Sequence, residues 1–295
     1  MSFVQEMSGN KLKSVLLTFF FFLFIVALVW IIASVMGWGA FAVGIALVLS
    51  ILMSVGSYYY SDKIVLKLSG AREATHEEYR LLDNLIAGLS IAAGIPKPKI
   101  FVIEDTAPNA FATGRNPEHG VICITTGLLQ KLDRSELEGV LAHEMSHIKN
   151  YDIRFMALIS IMVGFVVLLS DFFLRSMFWG GSNREGKGGG SVILLVVGIL
   201  FIVLAPLVGT LIQLAVSRRR EYLADASGVA LTRYPEGLAK ALEKISKDTE
   251  PLEAANKATA HLYIADPLKN NKMWLKGLFN THPPVADRIR ILRSM

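Results

Sequence analysis

Cysteine is all but missing: Cys123 is the single one in 295 residues. That excludes an internal disulfide and any cluster of thiolates around a metal. Cys123 stands in the apolar run 121–124, which reads as a buried strand. Charge is also sparse, at 19% of residues, and no stretch interleaves basic with aromatic side chains. Nucleic-acid binding therefore leaves no footprint. The formal net charge is +5, an excess that in a membrane protein marks cytoplasmic loops near anionic lipid. Histidine is scarce too, with six in the chain, so a patterned pair of them carries weight.

What is abundant is apolar surface. The chain is 53% hydrophobic with a mean hydropathy of +0.46, too apolar for an ordinary soluble enzyme. Four long apolar runs, 14–36, 40–59, 155–178 and 192–216, each suit a membrane crossing and pair into two hairpins. The first run is too long for a signal peptide and lacks a small-residue cleavage site before a mature domain. Gly37, Trp38 and Gly39 make the tight turn between the first two runs. Tyr58, Tyr59 and Tyr60, then Asp62 and Lys63, mark an exit through the interface. The third run carries Asp171 and Arg175 one helical turn apart, able to neutralise one another. The Gly-rich stretch 180–191 reads as a flexible loop, and Pro206 can kink the fourth run. Lys11, Lys13, Lys63, Lys67 and Arg218, Arg219 and Arg220 fall on one side if all four runs cross. That side is the cytoplasm, with both termini and the polar segments. The expected division is a transmembrane hairpin at 1–61, a first polar part at 62–154, a second hairpin at 155–216 and a second polar part at 217–295.

Within 62–154 the local signals are those of a mixed α+β domain. Thr75 and Glu78 form a capping-box pattern opening a helix to about Ala93, stopped by Gly94, Ile95 and Pro96. Strands are expected at 99–104, 109–114 and 119–125, with a turn at Arg115, Asn116 and Pro117.

The stretch 135–152 then reads as one helix, with Ser135 as N-cap and Glu138 three residues on. Leu137, Val140, Leu141, Met145 and Ile148 form its apolar side. His143 and His147 lie four apart, one turn from each other on one face, the separation at which two imidazoles reach one tetrahedral zinc. Glu144, between them in the H-E-x-x-H pattern, projects beside the metal position in reach of a water. A third ligand is needed. After the fourth apolar run, Glu221 and Asp225 share one helical face. They resemble the arrangement of gluzincin-type zinc peptidases, in which a later glutamate completes the site and an aspartate one turn on holds the first histidine. Asp152 and Glu236 are the other carboxylates that can stand in. If the last two apolar runs form an antiparallel hairpin, its cytoplasmic ends bring these residues together near the bilayer surface.

Four segments in chain order, NAFATGRNP (109–117), HEMSH (143–147), SRRREYLAD (217–225) and FNTHPPVADRIRILR (279–293), resemble the HtpX family of membrane-integrated heat-shock zinc proteases, relatives of the CAAX prenyl proteases. The resemblance spans the whole chain. It implies a mostly α membrane protein with an α+β zincin-like catalytic domain. It further implies one zinc per chain on His143, His147 and Glu221, with Glu144 as general base and Asp225 holding His143. Asn109 and Ala110 fall on a strand beside the cleft that can pair with an extended substrate. His282 matches a histidine near the site; it can donate to the oxyanion, cap the zinc at rest, or simply enter a helix before Pro283 and Pro284. Arg288 reads as a structural partner of a carboxylate, and His76, His119 and His261 as surface residues. The implied activity is endoproteolysis of misfolded or damaged membrane proteins, in quality control at a bacterial inner membrane, with the catalytic domain in the cytoplasm and the lipid bilayer and protein substrates as partners. The alternatives are a CAAX-type prenyl-protein protease, a silent zinc-binding scaffold, and a transporter with an incidental metal site. The last predicts ionisable residues deep in several apolar runs, and these runs hold almost none.

Overall fold

The computed structural model describes residues 59–164, 218–255, 258–265, 267 and 283–295, with scattered positions between 12 and 56. Those scattered positions are helical and include the exposed side chains of Leu12, Phe19, Phe20, Val48 and Leu52. Among the described residues no helix is long and apolar enough to cross a membrane. The four expected crossings lie largely outside the described residues; Asp171, Arg175, Pro206, His282 and the stretch 180–191 lie wholly outside them.

The described part is mostly helical, with one small mixed sheet. Helix α1 (Ser61–Leu68) leads through β1 (Arg72–Glu73) to α2 (His76–Ala93). Helix α2 begins and ends on local signals. Thr75 Oγ1 accepts the Glu78 N–H at 3.4 Å, and the Glu78 carboxylate accepts the Thr75 N–H at 2.7 Å. Gly94 closes it in the left-handed region at φ +69, where a Cβ would be strained. Strands β2 (Lys99–Ile103), β3 (Ala110–Thr113) and β4 (Val121–Thr125) follow. The sheet order is β1-β2-β4-β3, with β2 and β4 parallel and the outer pairs antiparallel.

Alternation along these strands feeds two cores. Ile100, Ala110, Ala112, Ile122 and Ile124 face a large core shared with α2 and the helix that carries HEMSH. Phe111, Val121 and Cys123 face a second one with Val65, Met156, Leu262 and Tyr263. Burial on both faces explains why VICIT is continuously apolar. Cys123 is fully buried and its thiol is pushed far up by that burial.

After the short α3 (Thr126–Lys131) comes α4 (Arg134–Lys149), the helix that carries HEMSH. Its cap differs from the expected Ser135 with Glu138. Asp133 Oδ1 accepts the N–H of Ser135 and of Glu136, each at 2.9 Å, and the Glu136 carboxylate accepts the Asp133 N–H at 2.9 Å. The same reciprocal chemistry sits two residues upstream, because aspartate caps as well as serine and Glu136 is fixed by Lys244 at 2.6 Å. Nor does one helix run to 152. It stops at Lys149, Tyr151 turns through φ 61, and a new helix, α5, occupies 152–164.

Helices α6 (Arg218–Thr232) and α7 (Pro235–Lys247) pack on α4, and α8 (Val285–Leu292) packs on α6 and α7. Helix α6 runs antiparallel to α4, since Arg220 meets Asp152 and Gly228 lies against Ala142 and His143. Two glycines permit the close approach. A Cβ on Gly228 would sit 3.1 Å from the His143 nitrogen, and one on Gly139 only 2.6 Å from the Leu238 nitrogen of α7. His261 was expected at the surface but is 3% exposed, its Nε2 lying 3.3 Å from both Ser160 Oγ and the Met156 carbonyl. Packing of 260–265 against α5 buries it, an arrangement with no local signal. His76 and His119 are exposed as expected.

Candidate metal centre

Helical periodicity points His143 and His147 to one side of α4, and α6 passes that side with Glu221. His143 Nε2 and His147 Nε2 are 3.2 Å apart. Glu221 Oε2 lies 3.8 Å from the first and Oε1 lies 3.6 Å from the second. One ligand atom from each of the three lies within 4.8 Å of the other two. A tetrahedral ion with ligands at about 2.0–2.1 Å would space them about 3.4 Å apart, close to what is seen.

The outward ring nitrogens settle the tautomers. His143 Nδ1 donates to Asp225 Oδ1 at 2.9 Å, and His147 Nδ1 donates to Asp152 Oδ2 at 3.0 Å. With both rings neutral, both Nε2 atoms present lone pairs, and they face each other and a carboxylate. Three acceptors converging in a dry site repel one another unless a cation lies among them.

Charge counting gives the same answer. Glu144, Asp152, Glu221 and Asp225 are buried beside two buried guanidiniums, those of Arg220 and Arg288. With neutral imidazoles this leaves a formal charge of −2, which suits one divalent cation.

The surrounding electrostatics are shaped by burial first. Burial lowers the affinity of His143 for a proton and leaves it below its ordinary value. Burial acts the same way on His147, but Asp152, Glu221 and Glu144 outweigh it and bring that ring up to about 9, a proton that a bound cation would displace. Burial pushes Asp225 up, yet Arg288 and His143 hold it below the usual carboxylate range. Arg288 is 0% exposed and grips Asp225 through two bonds of 2.8 and 2.7 Å, while its Nη1 donates to the Ile264 carbonyl at 3.1 Å. Glu144 is pushed up to about 7 by burial and by Glu221, against the pull of His147, Arg288 and the Ala112 N–H. A carboxyl so poised exchanges protons near neutral pH.

The family follows from the residues that make this centre: a match to peptidase family M48 extends over residues 76–295 and so contains all of them. The chain belongs to peptidase family M48. This M48 metalloprotease is 47% identical over 294 residues to a protein named Protease HtpX homolog from Dictyoglomus thermophilum, covering 100% of this chain and 95% of that one. A Protease HtpX homolog of Thermoanaerobacter pseudethanolicus is 43% identical over 289 residues, covering 97% and 95%. One from Listeria monocytogenes is 40% identical over 307 residues, covering 99% of each chain. In fold the M48 peptidase is similar to the crystal structure of S. mikatae Ste24p, with a TM-score of 0.51 and 20% identity over 98% of this chain and 67% of that one.

The other expected site residues fall in different places. Asn109 is buried, and its side chain is spent within the fold: Nδ2 donates to the Ala265 carbonyl at 3.1 Å and Oδ1 accepts the Ala110 N–H at 3.1 Å. The Ala110 carbonyl accepts the Ile264 N–H at 3.0 Å, so the chain's own segment covers that end of the β3 edge. The next outward position, Ala112, turns its N–H to Glu144. Glu236 is remote from the centre and bonds Arg293 at 3.3 Å. Asp152 is at the centre, but on the Nδ1 side of His147. Arg220, whose Nε is 3.1 Å from Asp152 Oδ1, escaped sequence reading because it sits in a basic run that fits a membrane exit equally well.

Proposed function

We propose that this chain is a zinc-dependent endopeptidase integrated in a membrane, with His143, His147 and Glu221 as ligands and Glu144 as general base. The convergence of two lone-pair Nε2 atoms and the Glu221 carboxylate in a buried site of formal charge −2 carries this reading. Zinc held there supplies Lewis acidity, which acidifies water and polarises a carbonyl. Glu144 then takes the proton of the attacking water and returns it to the leaving amine. Its raised proton affinity suits both halves of that exchange. Asp225 and Arg288 hold His143 in one tautomer and orientation. The β3 edge beyond Ala110 lies beside Glu144, so an extended peptide laid there would present its backbone to the base. His282 keeps its sequence-based role as a candidate oxyanion donor.

The relatives' name, Protease HtpX homolog, supports proteolysis, and the apolar runs support integration in the bilayer through four crossings. The exposed Leu12, Phe19, Phe20 and Leu52 suit contact with lipid tails. Arg115 over the Tyr59 ring at 5.3 Å and Lys63 over the Tyr60 ring at 5.3 Å suit a membrane interface. The basic residues at the run ends favour an inner-membrane protein with its catalytic parts at 62–154 and 217–295 in the cytoplasm. Ligands that flank long apolar runs in the sequence favour misfolded membrane proteins as substrates. Glu144→Gln is expected to keep stoichiometric zinc while cleaving casein about 100- to 10,000-fold more slowly. Cleavage at the wild-type rate would remove Glu144 from the mechanism.

A further inference from the structure

We propose that Asp152, braced by Arg220, is a positioning residue for His147, the counterpart of Asp225 braced by Arg288 at His143. The proposal rests on the metal reading above. Its first support is geometric. In an unbroken helix a residue five positions on lies about 140° round the axis, on a different face. Here the helix breaks: Tyr151 adopts φ 61, a conformation costly for a bulky residue, and a turn separates the two helices. Across that turn Asp152 Oδ2 lies 3.0 Å from His147 Nδ1.

The second support is the bracing. Asp152 is 0% exposed and starts α5, where the helix dipole favours a carboxylate. Arg220 Nε is 3.1 Å from its other oxygen, and the guanidinium lies over the Phe155 ring at 5.0 Å. Arg220 is also the chain neighbour of the ligand Glu221, so one element delivers both the ligand and the brace.

Asp152 is therefore placed to orient the ring and keep a proton on Nδ1. That leaves the Nε2 lone pair aimed at the ligand cluster and raises its basicity. The rival role is purely mechanical, a buried ion pair joining α4 and α5 to α6.

The full chain, stripped of metal, separates the two. Zinc affinity is read by competition with a chromophoric chelator, coordination by the visible spectrum of the cobalt form, and folding by denaturant unfolding of the metal-free protein. The variants are Asp152→Ala, Asp152→Asn and the double variant Asp152→Asn with Arg220→Gln. Asp152→Ala is expected to weaken zinc about 10- to 100-fold and to alter the cobalt spectrum. The double variant removes both charges of the ion pair together. It is expected to unfold like wild type while zinc stays at least about 10-fold weaker. Should Asp152→Ala fail to fold, the double variant decides alone. Affinity that recovers with stability in the double variant, or that stays within twofold of wild type, overturns the positioning role. Wild-type protein that takes up no zinc overturns the metal reading itself, and this proposal with it.

Discussion

Two charged clusters lie at opposite extremes of burial. At the metal centre, four carboxylates and two guanidiniums are nearly sealed from water. On the surface, Arg72 forks onto Glu78 at 2.9 Å and bonds Glu104, with Arg72 34% and Glu104 65% exposed. The surface cluster is made of one strand end, one cap and a loop, and water does most of the screening. The buried cluster gains little from its pairs alone, because desolvation offsets their attraction. It is held together by bracing: Arg288 holds Asp225, Arg220 holds Asp152, and the remaining formal −2 suits a dication. Removing one member should therefore be costly in the first cluster and mild in the second.

The largest effect is expected from Arg288→Met, which leaves Asp225 buried without its cation. Denaturant unfolding should show a loss of about 3–5 kcal/mol; a loss below about 1 kcal/mol would mean that Asp225 is not charged there. Metal removal comes next. With zinc at about 100 times its dissociation constant, chelation should cost about 3 kcal/mol of stability, read as a chelator-dependent fall in the unfolding midpoint. The same chelator should leave a Glu221→Ala variant unmoved.

Third is Gly139→Ala, where the new Cβ would meet the Leu238 backbone at 2.6 Å. Overpacking α4 on α7 should cost about 1–3 kcal/mol in unfolding experiments, with zinc affinity nearly kept, because the contact lies a full turn from His143. The smallest effect belongs to the surface. Glu78→Gln should cost about 1 kcal/mol at pH 7. Arg72 and the cap hold Glu78 down to about 2, below its ordinary value of 4.5. Its contribution is thus full above about pH 4.5 and fades as pH falls towards 2. Unfolding curves of wild type and variant should converge over that range; divergence would mean that the fork is not formed.

Much of the domain was legible because its signals are local. Thr75, Glu78 and Gly94 bound α2 within one turn of where they stand in sequence, and the three strands are short apolar runs with turn residues between them. The four-residue spacing of His143 and His147 placed both rings on one face without any knowledge of neighbours. Elsewhere the local signal was ambiguous. Ser135 and Asp133 both precede a glutamate by three, and only the ion pair of Glu136 with Lys244, from distant α7, selects the latter. The break at Tyr151 was masked: Lys149 in the last turn and Asn150 at the cap are stop signals, but the long apolar run that follows reads as a continuing helix. The burial of His261 and the spent side chain of Asn109 depend on a segment more than a hundred residues from their partners.

The sequence by itself determined that two imidazoles share a helical face, that a carboxylate stands between them, and that long apolar runs flank them. Periodicity and hydropathy operate within a few turns of chain and need no fold to be read. Only the tertiary structure decided that Glu221, and neither Asp152 nor Glu236, lies among the ring nitrogens, and that Asp152 with Arg220 stands behind His147. Glu221, Asp225, Asp152, Arg220 and Arg288 come from helices that meet because small residues let them approach, and because each buried charge required a counter-charge that no neighbour in sequence could supply.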